Sequence, residues 1–361
     1  MTGAGVDGGV YSGGVYSGAV AGVPREDWPE RVQQVDWVQA LAVYEIAMPT
    51  RFRGLTARRG MVLQSAQHGW VEWSPFEEYG VPEASRWWLA AEDAAVHGFP
   101  VPVRDVVPVN VTVPAEPAGA AHARVAASGC GTAKVKVAEP SQTSADDIAR
   151  VEAVRDALGP GGRLRIDANG AWAPGQALTM INELRRFDLE YVEQPCAGVE
   201  DLARLRHEVA RRGWHVPIAA DESIRRAGDP ERVASLGAAD VAVIKVQPLG
   251  GVKACLELGE RLGMPLVVSS ALETSVGLRA GVALAAALPE LPFACGLNTS
   301  ALLAGDLTTE SLRARDGQIA VGDGEVDAAA LAQHGADERV TQRWLERLDG
   351  VLAHLQPGRP A

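Results

Sequence analysis

The chain lacks any run of roughly 18 or more uninterrupted apolar residues, so no membrane span is expected. It also lacks a basic surplus: 34 Lys and Arg stand against 46 Asp and Glu, for a net charge of −12. Neither nucleic acid nor a membrane surface is therefore expected as a partner. An anionic small molecule stays admissible, because a site can be locally positive. The N-terminus shows no basic start followed by an apolar core, so no secretory signal is expected. Cysteine is scarce and scattered. Cys130, Cys196, Cys255 and Cys295 show no CxxC spacing. They read as free thiols in a reducing cytosol, which places the protein in the cytoplasm.

What is present is ordinary for a globular enzyme, with 47% hydrophobic and 22% charged residues. A length of 361 residues suits one large barrel, or a barrel plus a smaller domain. Residues 1–23 are rich in Gly, Ser, Val and Ala and repeat Val-Tyr-Ser-Gly at 10–13 and 15–18. This reads as a flexible tail with too little bulky apolar content to pack. Residues 24–107 mix a helix at 28–38, strands at 41–46 and 60–64, and a helix at 82–96. Between the strands, 48–54 reads as a turn-rich loop carrying Arg51 and Arg53.

From residue 108 the texture changes. Short apolar runs recur at 109–113, 133–137, 163–167, 189–193, 217–221, 241–246, 265–269 and 292–296, with helical stretches between them. Eight strands alternating with helices predict a (β/α)₈ barrel, here spanning 108–303. Polar residues at 141–147 open one intervening helix, and Gly-Pro-Gly-Gly at 159–162 closes it. From 304 the chain leaves the barrel, and 323–355 reads as helix packing back on the first domain.

The strand ends carry charge where apolar residues would be cheaper. They read Ala-Lys134-Val-Lys136, Arg165-Ile-Asp167-Ala-Asn169, Val-Glu193-Gln-Pro, Ala-Asp221-Glu-Ser and Ile-Lys245-Val. Buried charges are normally paired or hold a metal, and the C-terminal face of a barrel is where sites are built. Residues two apart on a strand share a face, so Lys134 and Lys136 point inward, as do Arg165, Asp167 and Asn169. Asp167, Glu193 and Asp221 lie 26 and 28 residues apart, close to one βα unit each. Three carboxylates with no neighbouring His or Cys suit Mg²⁺, with Lys136 and Lys245 on its two sides. Such a site can remove the weakly acidic proton next to a carboxylate. The cation and the lysines stabilise the enediolate, and a lysine whose pKa is lowered by neighbouring cations and low-dielectric walls serves as base.

Each phrase alone has a bland reading: Lys-x-Lys as a solvated edge strand, Asp-Ala-Asn-Gly as a turn, Asp-Glu-Ser as a helix cap. Together, one per strand and in barrel order, they favour a site. The histidines (68, 97, 122, 207, 215, 334 and 354) fall outside the strand ends, so no zinc site is expected.

With Lys-x-Lys, Asp-x-Asn, Glu-Gln-Pro, Asp-Glu-Ser and the strand-six Lys in place, the chain resembles the enolase superfamily, muconate-lactonizing-enzyme subgroup. Longer phrases at 48–54, 108–113, 132–140, 242–251 and 269–277 are similar to actinobacterial o-succinylbenzoate synthases. The resemblance implies an α/β fold: a modified TIM barrel with an N-terminal α+β capping domain, 24–107, completed by 304–361. It implies Mg²⁺, with Mn²⁺ able to substitute, and a small anionic cyclohexadiene dicarboxylate that loses water. Lys136 would act as base and then acid, Lys134 would join the metal at the enediolate, and Lys245 would face the anionic ring. Ser269, Ser270, Asn169, Arg165 and Arg53 become candidate substrate contacts, together with backbone amides after strands seven and eight. Arg51 or Arg53 is expected on a mobile lid. Strand eight lacks the Asp-x-Asp of dipeptide epimerases, and strand seven lacks the His of mandelate-racemase relatives. An N-succinylamino-acid racemase, alone or combined with the dehydratase, stays open, as does the oligomeric state, a homo-oligomer included.

Overall fold

The computed structural model describes residues 22–52, 54–225, 229–322 and 324–356, and no side chain at 51 or 229. The expected tail thus lies outside the described residues except for 22 and 23, and Val23 already donates from its backbone to Leu41. The first sheet is antiparallel, in the order β1 (Val38–Phe52), β2 (Leu55–Ser65), β3 (Gly69–Trp73). The helix expected at 28–38 is shorter, Glu30–Gln33, and β1 begins at Val38. The loop expected at 48–54 is corrected as well. β1 runs on to Phe52, which pairs with Leu55 across a tight hairpin, and a register break between Ala47 and Phe52 absorbs Pro49. Proline cannot donate to a ladder, so a break or an edge is where it fits.

Helix Val81–His97 crosses this sheet. Its buried positions Ala84, Trp87, Trp88, Ala91, Ala94 and Ala95 recur at the three- and four-residue spacing of one helix face. It stops at Gly98, whose φ of 71° suits glycine. Helix Glu338–Leu355, capped by Asp337 on the backbone of Val340 at 2.7 Å, lies against it. Trp73 and Trp344 meet edge to face, with ring centroids 5.4 Å apart. One apolar cluster gathers these elements.

The second sheet is parallel, with β5 (Val111–Val113), β6 (Thr132–Lys136), β7 (Arg163–Asp167), β8 (Leu189–Glu193), β9 (Ile218–Ala220), β10 (Val241–Ile244) and β11 (Leu266–Val268) in sequence order. Before it, β4 (Val106–Pro108) pairs antiparallel with β12 (Gln318–Ala320). The expected eighth strand at 292–296 contracts to two single bridges, Val109 with Cys295 and Ser269 with Gly296. They suffice to close the ring. Cys295 donates to Pro108 O at 2.7 Å, and Gly296 donates to Val268 O at 2.8 Å. The fold is therefore a modified β/α barrel. The helix expected to open within 141–147 is Ser144–Leu158, and it begins with a capping box, Thr143 with Asp146.

Parity along the strands decides what faces inward. Tyr191, Ala219, Val241, Val243 and Val267 fill the barrel interior, while their neighbours face the outer helices. The ladder aligns Lys134, Arg165 and Tyr191 in one layer, and Lys136, Asp167 and Glu193 in the layer above.

Candidate active site

At the C-terminal ends of the barrel strands each carboxylate is answered by a cation. Lys136 Nζ stands 2.6 Å from Asp167 Oδ2 and 2.7 Å from Asn169 Oδ1. Lys134 Nζ donates to Glu193 Oε1 at 2.8 Å and lies 3.4 Å from Asp167 Oδ2. On the far side Lys245 Nζ reaches Asp221 Oδ2 at 2.6 Å, and Arg225 Nε reaches its Oδ1 at 3.0 Å. All three carboxylates are buried. With every acid turned toward an ammonium or guanidinium, no three Asp, Glu, His or Cys among the described residues form a ready metal cage. One oxygen is left over: Glu193 Oε2 is buried without a hydrogen-bond partner. A buried carboxylate oxygen left unpaired is costly, and three oxygen donors without nitrogen or sulfur fit a hard divalent cation.

The electrostatics follow from this packing. Burial opposes charge on Asp167, but Lys136 and Lys134 outweigh it and hold the group below the ordinary carboxylate range. Burial opposes charge on Asp221 too, and Arg225 and Lys245 overcome it. Glu193 goes the other way. Burial and then the Asp167 charge push it up to about 7, with Lys134 only partly compensating. Burial lowers Lys245, with Asp221 opposing and Arg225 assisting. Burial would lower Lys134 as well, but Glu193 and Asp167 outweigh it and raise that group.

The remaining sequence candidates fall in different places. Asn169 lies beside Lys136, held by Asp167 Oδ1 at its backbone N–H (3.0 Å), and donates to Glu222 Oε1 at 3.2 Å. Ser269 and Ser270 follow β11. The backbone amides expected there as carboxylate donors are already engaged: Ser269 with Ile244 O, Ser270 with Gly296 O, Ala271 with Glu273, and Leu272 with Ser270 Oγ. Ser270 Oγ also meets Thr299 Oγ1, whereas Ser269 Oγ has only a 3.4 Å contact to Gly296 O. Arg165 lies one layer below Asp167, fully buried. It donates to Glu190 and, at 2.7 Å, to Ala294 O, and stacks 4.7 Å over Tyr191. Arg53 lies outside the described residues, and at Arg51 only the backbone is described.

Four contributors escape sequence reasoning. Phe52, at the hairpin tip, presents its ring 5.4 Å from Lys136 Nζ. Arg225 links Asp221 to Glu222 and to Tyr79 OH of the first domain. Gln194 bridges two strand ends. Tyr191 lies beneath Glu193 with its hydroxyl buried and unpartnered. The only signals were the Glu-Gln-Pro phrase for Gln194 and the four-residue spacing of Arg225 from Asp221.

Residues 43–95 match the enolase N-terminal domain-like family and 117–325 the enolase C-terminal domain-like family. The chain is 58% identical over 310 residues to an o-succinylbenzoate synthase of Thermobifida fusca, covering 86% of this chain and 95% of that one. A Mycolicibacterium smegmatis protein of the same name is 46% identical, covering 87% and 95%. Among solved structures, muconate cycloisomerase from Pseudomonas fluorescens superposes with a TM-score of 0.67 at 22% identity, covering 83% and 99%, which is a likeness of fold. By these matches the chain belongs to the enolase superfamily and, within it, to the o-succinylbenzoate synthase family.

Proposed function

We propose that this chain catalyses the dehydration of 2-succinyl-6-hydroxy-2,4-cyclohexadiene-1-carboxylate to 2-succinylbenzoate, a step of menaquinone biosynthesis, in the cytoplasm. The observation that carries the choice of reaction is the 58% identity to the Thermobifida fusca enzyme over nearly its whole length. The working unit is a barrel, 108–303, under a cap, 24–107, completed by 304–361. One apolar cluster centred on the barrel strands and their helices, and another centred on the first sheet with helices Val81–His97 and Glu338–Leu355, support that division, and a few residues such as Ala90 and Leu272 pack across it.

Asp167, Glu193 and Asp221 would hold a divalent cation, Mg²⁺ with Mn²⁺ as substitute. When bound, the cation supplies positive charge to the substrate carboxylate as the adjacent proton leaves. Lys136 Nζ takes that proton, aimed by Asn169. It then returns the proton to the departing hydroxyl on the same face, and aromatisation makes this second half downhill. Lys134 below and Lys245 opposite hold positive charge against the negative charge that grows on the ring. Of the two serines, Ser269 has the freer hydroxyl for the succinyl carboxylate. Arg165 is enclosed by Glu190, Ala294 O and the aromatic rings of Tyr191 and Phe293 and does not contact the substrate; Arg53 stays a candidate contact.

An ultraviolet assay with the cyclohexadiene substrate tests this. Conversion should require Mg²⁺, stop with EDTA and resume on adding the metal back. No conversion by metal-loaded protein would sink the reading. Lysines on both sides of the carboxylates also fit a racemase working on N-succinylamino acids. Exchange of the α-proton of such substrates in D₂O would establish it as a second activity.

A further inference from the structure

We infer that Gln194 is the positioning residue that locks the three carboxylate-bearing strand ends into one frame, an inference that rests on the metal reading above. The ladder joining β8 to β9 is short, with only Val192 opposite Ile218 and Glu193 opposite Ala219. The backbone N–H of Gln194 adds one bond, to Ala219 O at 2.8 Å. There the chain leaves extended geometry. Gln194 has a φ of 38°, a left-handed conformation that residues with a Cβ seldom adopt. Such strain persists only where the surroundings enforce it.

That turn swings the side chain onto the neighbouring strand end. Gln194 Oε1 accepts from the backbone N–H of Asp221 at 2.9 Å and of Ser223 at 3.2 Å. Its Nε2 donates to Ser223 Oγ and to Cys196 O, each at 2.8 Å. Toward β7, Gln194 O accepts from Gly170 N at 2.6 Å, and Glu193 O accepts from Ala168 N at 3.2 Å. One residue therefore follows Glu193 directly, ties the turn after Asp167 and fixes the backbone of Asp221. β9 itself is only Ile218–Ala220, and two residue pairs join it to β10. The side-chain amide thus continues a ladder that has run out. It touches none of the carboxylate oxygens, so it acts through the backbone. Its four hydrogen bonds are more than filling a buried volume would need.

Gln194→Met keeps length and burial but leaves Asp221 N and Ser223 N without an acceptor. The probe is Mn²⁺ alone, titrated into substrate-free full-length protein, with free Mn²⁺ read by electron paramagnetic resonance to give both Kd and sites per chain. Removing groups that orient metal ligands typically weakens metal affinity 10–100-fold. Gln194→Met should therefore bind at one site per chain with Kd raised by about that factor. A merely structural residue would lower the number of sites while leaving Kd unchanged, and an unchanged Kd overturns the inference. Should Gln194→Met fail to fold, Gln194→Asn serves instead. It tolerates the left-handed backbone and withdraws the amide by one carbon, so it must raise Kd at least about tenfold. A Kd within about twofold of the unaltered protein overturns the inference. If the unaltered protein binds no Mn²⁺, the metal reading falls and the inference falls with it. If it binds and Gln194→Met binds equally well, only the inference falls.

Discussion

Lys136 and Lys245 look equivalent in the sequence and differ in surroundings. Lys136 is held by Asp167 and Asn169 beside the Phe52 ring, while Lys245 is deeper and shares Asp221 with Arg225. A dehydration confined to one face needs one lysine as base and then acid, with only positive charge required opposite. Lys136→Ala should lower kcat by about 10²–10⁴-fold, the usual worth of general acid–base catalysis. Lys245→Arg should keep more activity, because it keeps the charge. Near-normal turnover by Lys136→Ala in the ultraviolet assay would refute the assignment. These lysines and the three carboxylates are legible in the sequence because strand parity sends them inward and one βα unit separates the acids. Arg165 obeys the same parity, but depth does not show in a sequence, and Glu190 engages it one layer down. Gln194 is not legible as a bridge because its partners are backbone amides of another strand. Arg225 is hidden because Glu222–Arg225 is too short a helix to show a period.

At the scale of elements, local turn chemistry is where sequence reasoning gives way to tertiary context. Pro49, Gly54 and two arginines read as a loop, yet β1 extends through 48–52 because the long ladder from Val38 to Ala47 carries its pairing across a break to Phe52 opposite Leu55. The eighth barrel strand fails in the opposite sense. An apolar run at 292–296 suggests a strand, but two bridges complete the closure. Caps are better behaved: Thr143 with Asp146 and Asp337 with Val340 satisfy helix N-termini from within a few residues, so they can be read locally. The hairpin brings the Phe52 ring to 5.4 Å from Lys136 Nζ, and in the sequence an arginine stands on each side of Phe52. Replacing Arg51 and Arg53 together by Ala should raise KM about tenfold or more while changing kcat less, since lost binding common to ground and transition states appears in KM. Unchanged steady-state constants would reduce the hairpin tip to a connection.

The two halves of the molecule meet on buried charge. Glu72 of β3 accepts from Tyr44 OH at 2.7 Å and Ser74 Oγ at 2.6 Å. It also accepts from the backbone N–H groups of Thr274 (3.1 Å) and Gly277 (3.0 Å), so a residue of the cap closes the N-terminus of barrel helix Ser275–Ala287. Gly277 permits this approach, for a Cβ there would lie 3.0 Å from the Glu72 carboxyl carbon. Arg58 of β2 clamps Leu272 O at 2.9 Å, holding Leu272 at a φ of 64° just beyond the serines. Glu273 is buried beside Glu72, and burial followed by the Glu72 charge raises it from 4.5 to about 7. The sign follows from linkage. The folded protein holds this proton more tightly than the unfolded chain, so the stabilisation is complete below about pH 4.5 and is lost as pH rises toward about 7. Glu273→Gln removes that loss while keeping an oxygen for Ala271 N. Its stability relative to the unaltered protein should therefore improve between pH 5 and 8, by on the order of 1–3 kcal/mol, since each tenfold change in proton affinity is worth about 1.4 kcal/mol. Urea unfolding of both proteins at several pH values measures the difference directly. A gap that stays constant with pH would mean that Glu273 is already ionised in the folded protein across that range and that the seam is not pH-sensitive through it.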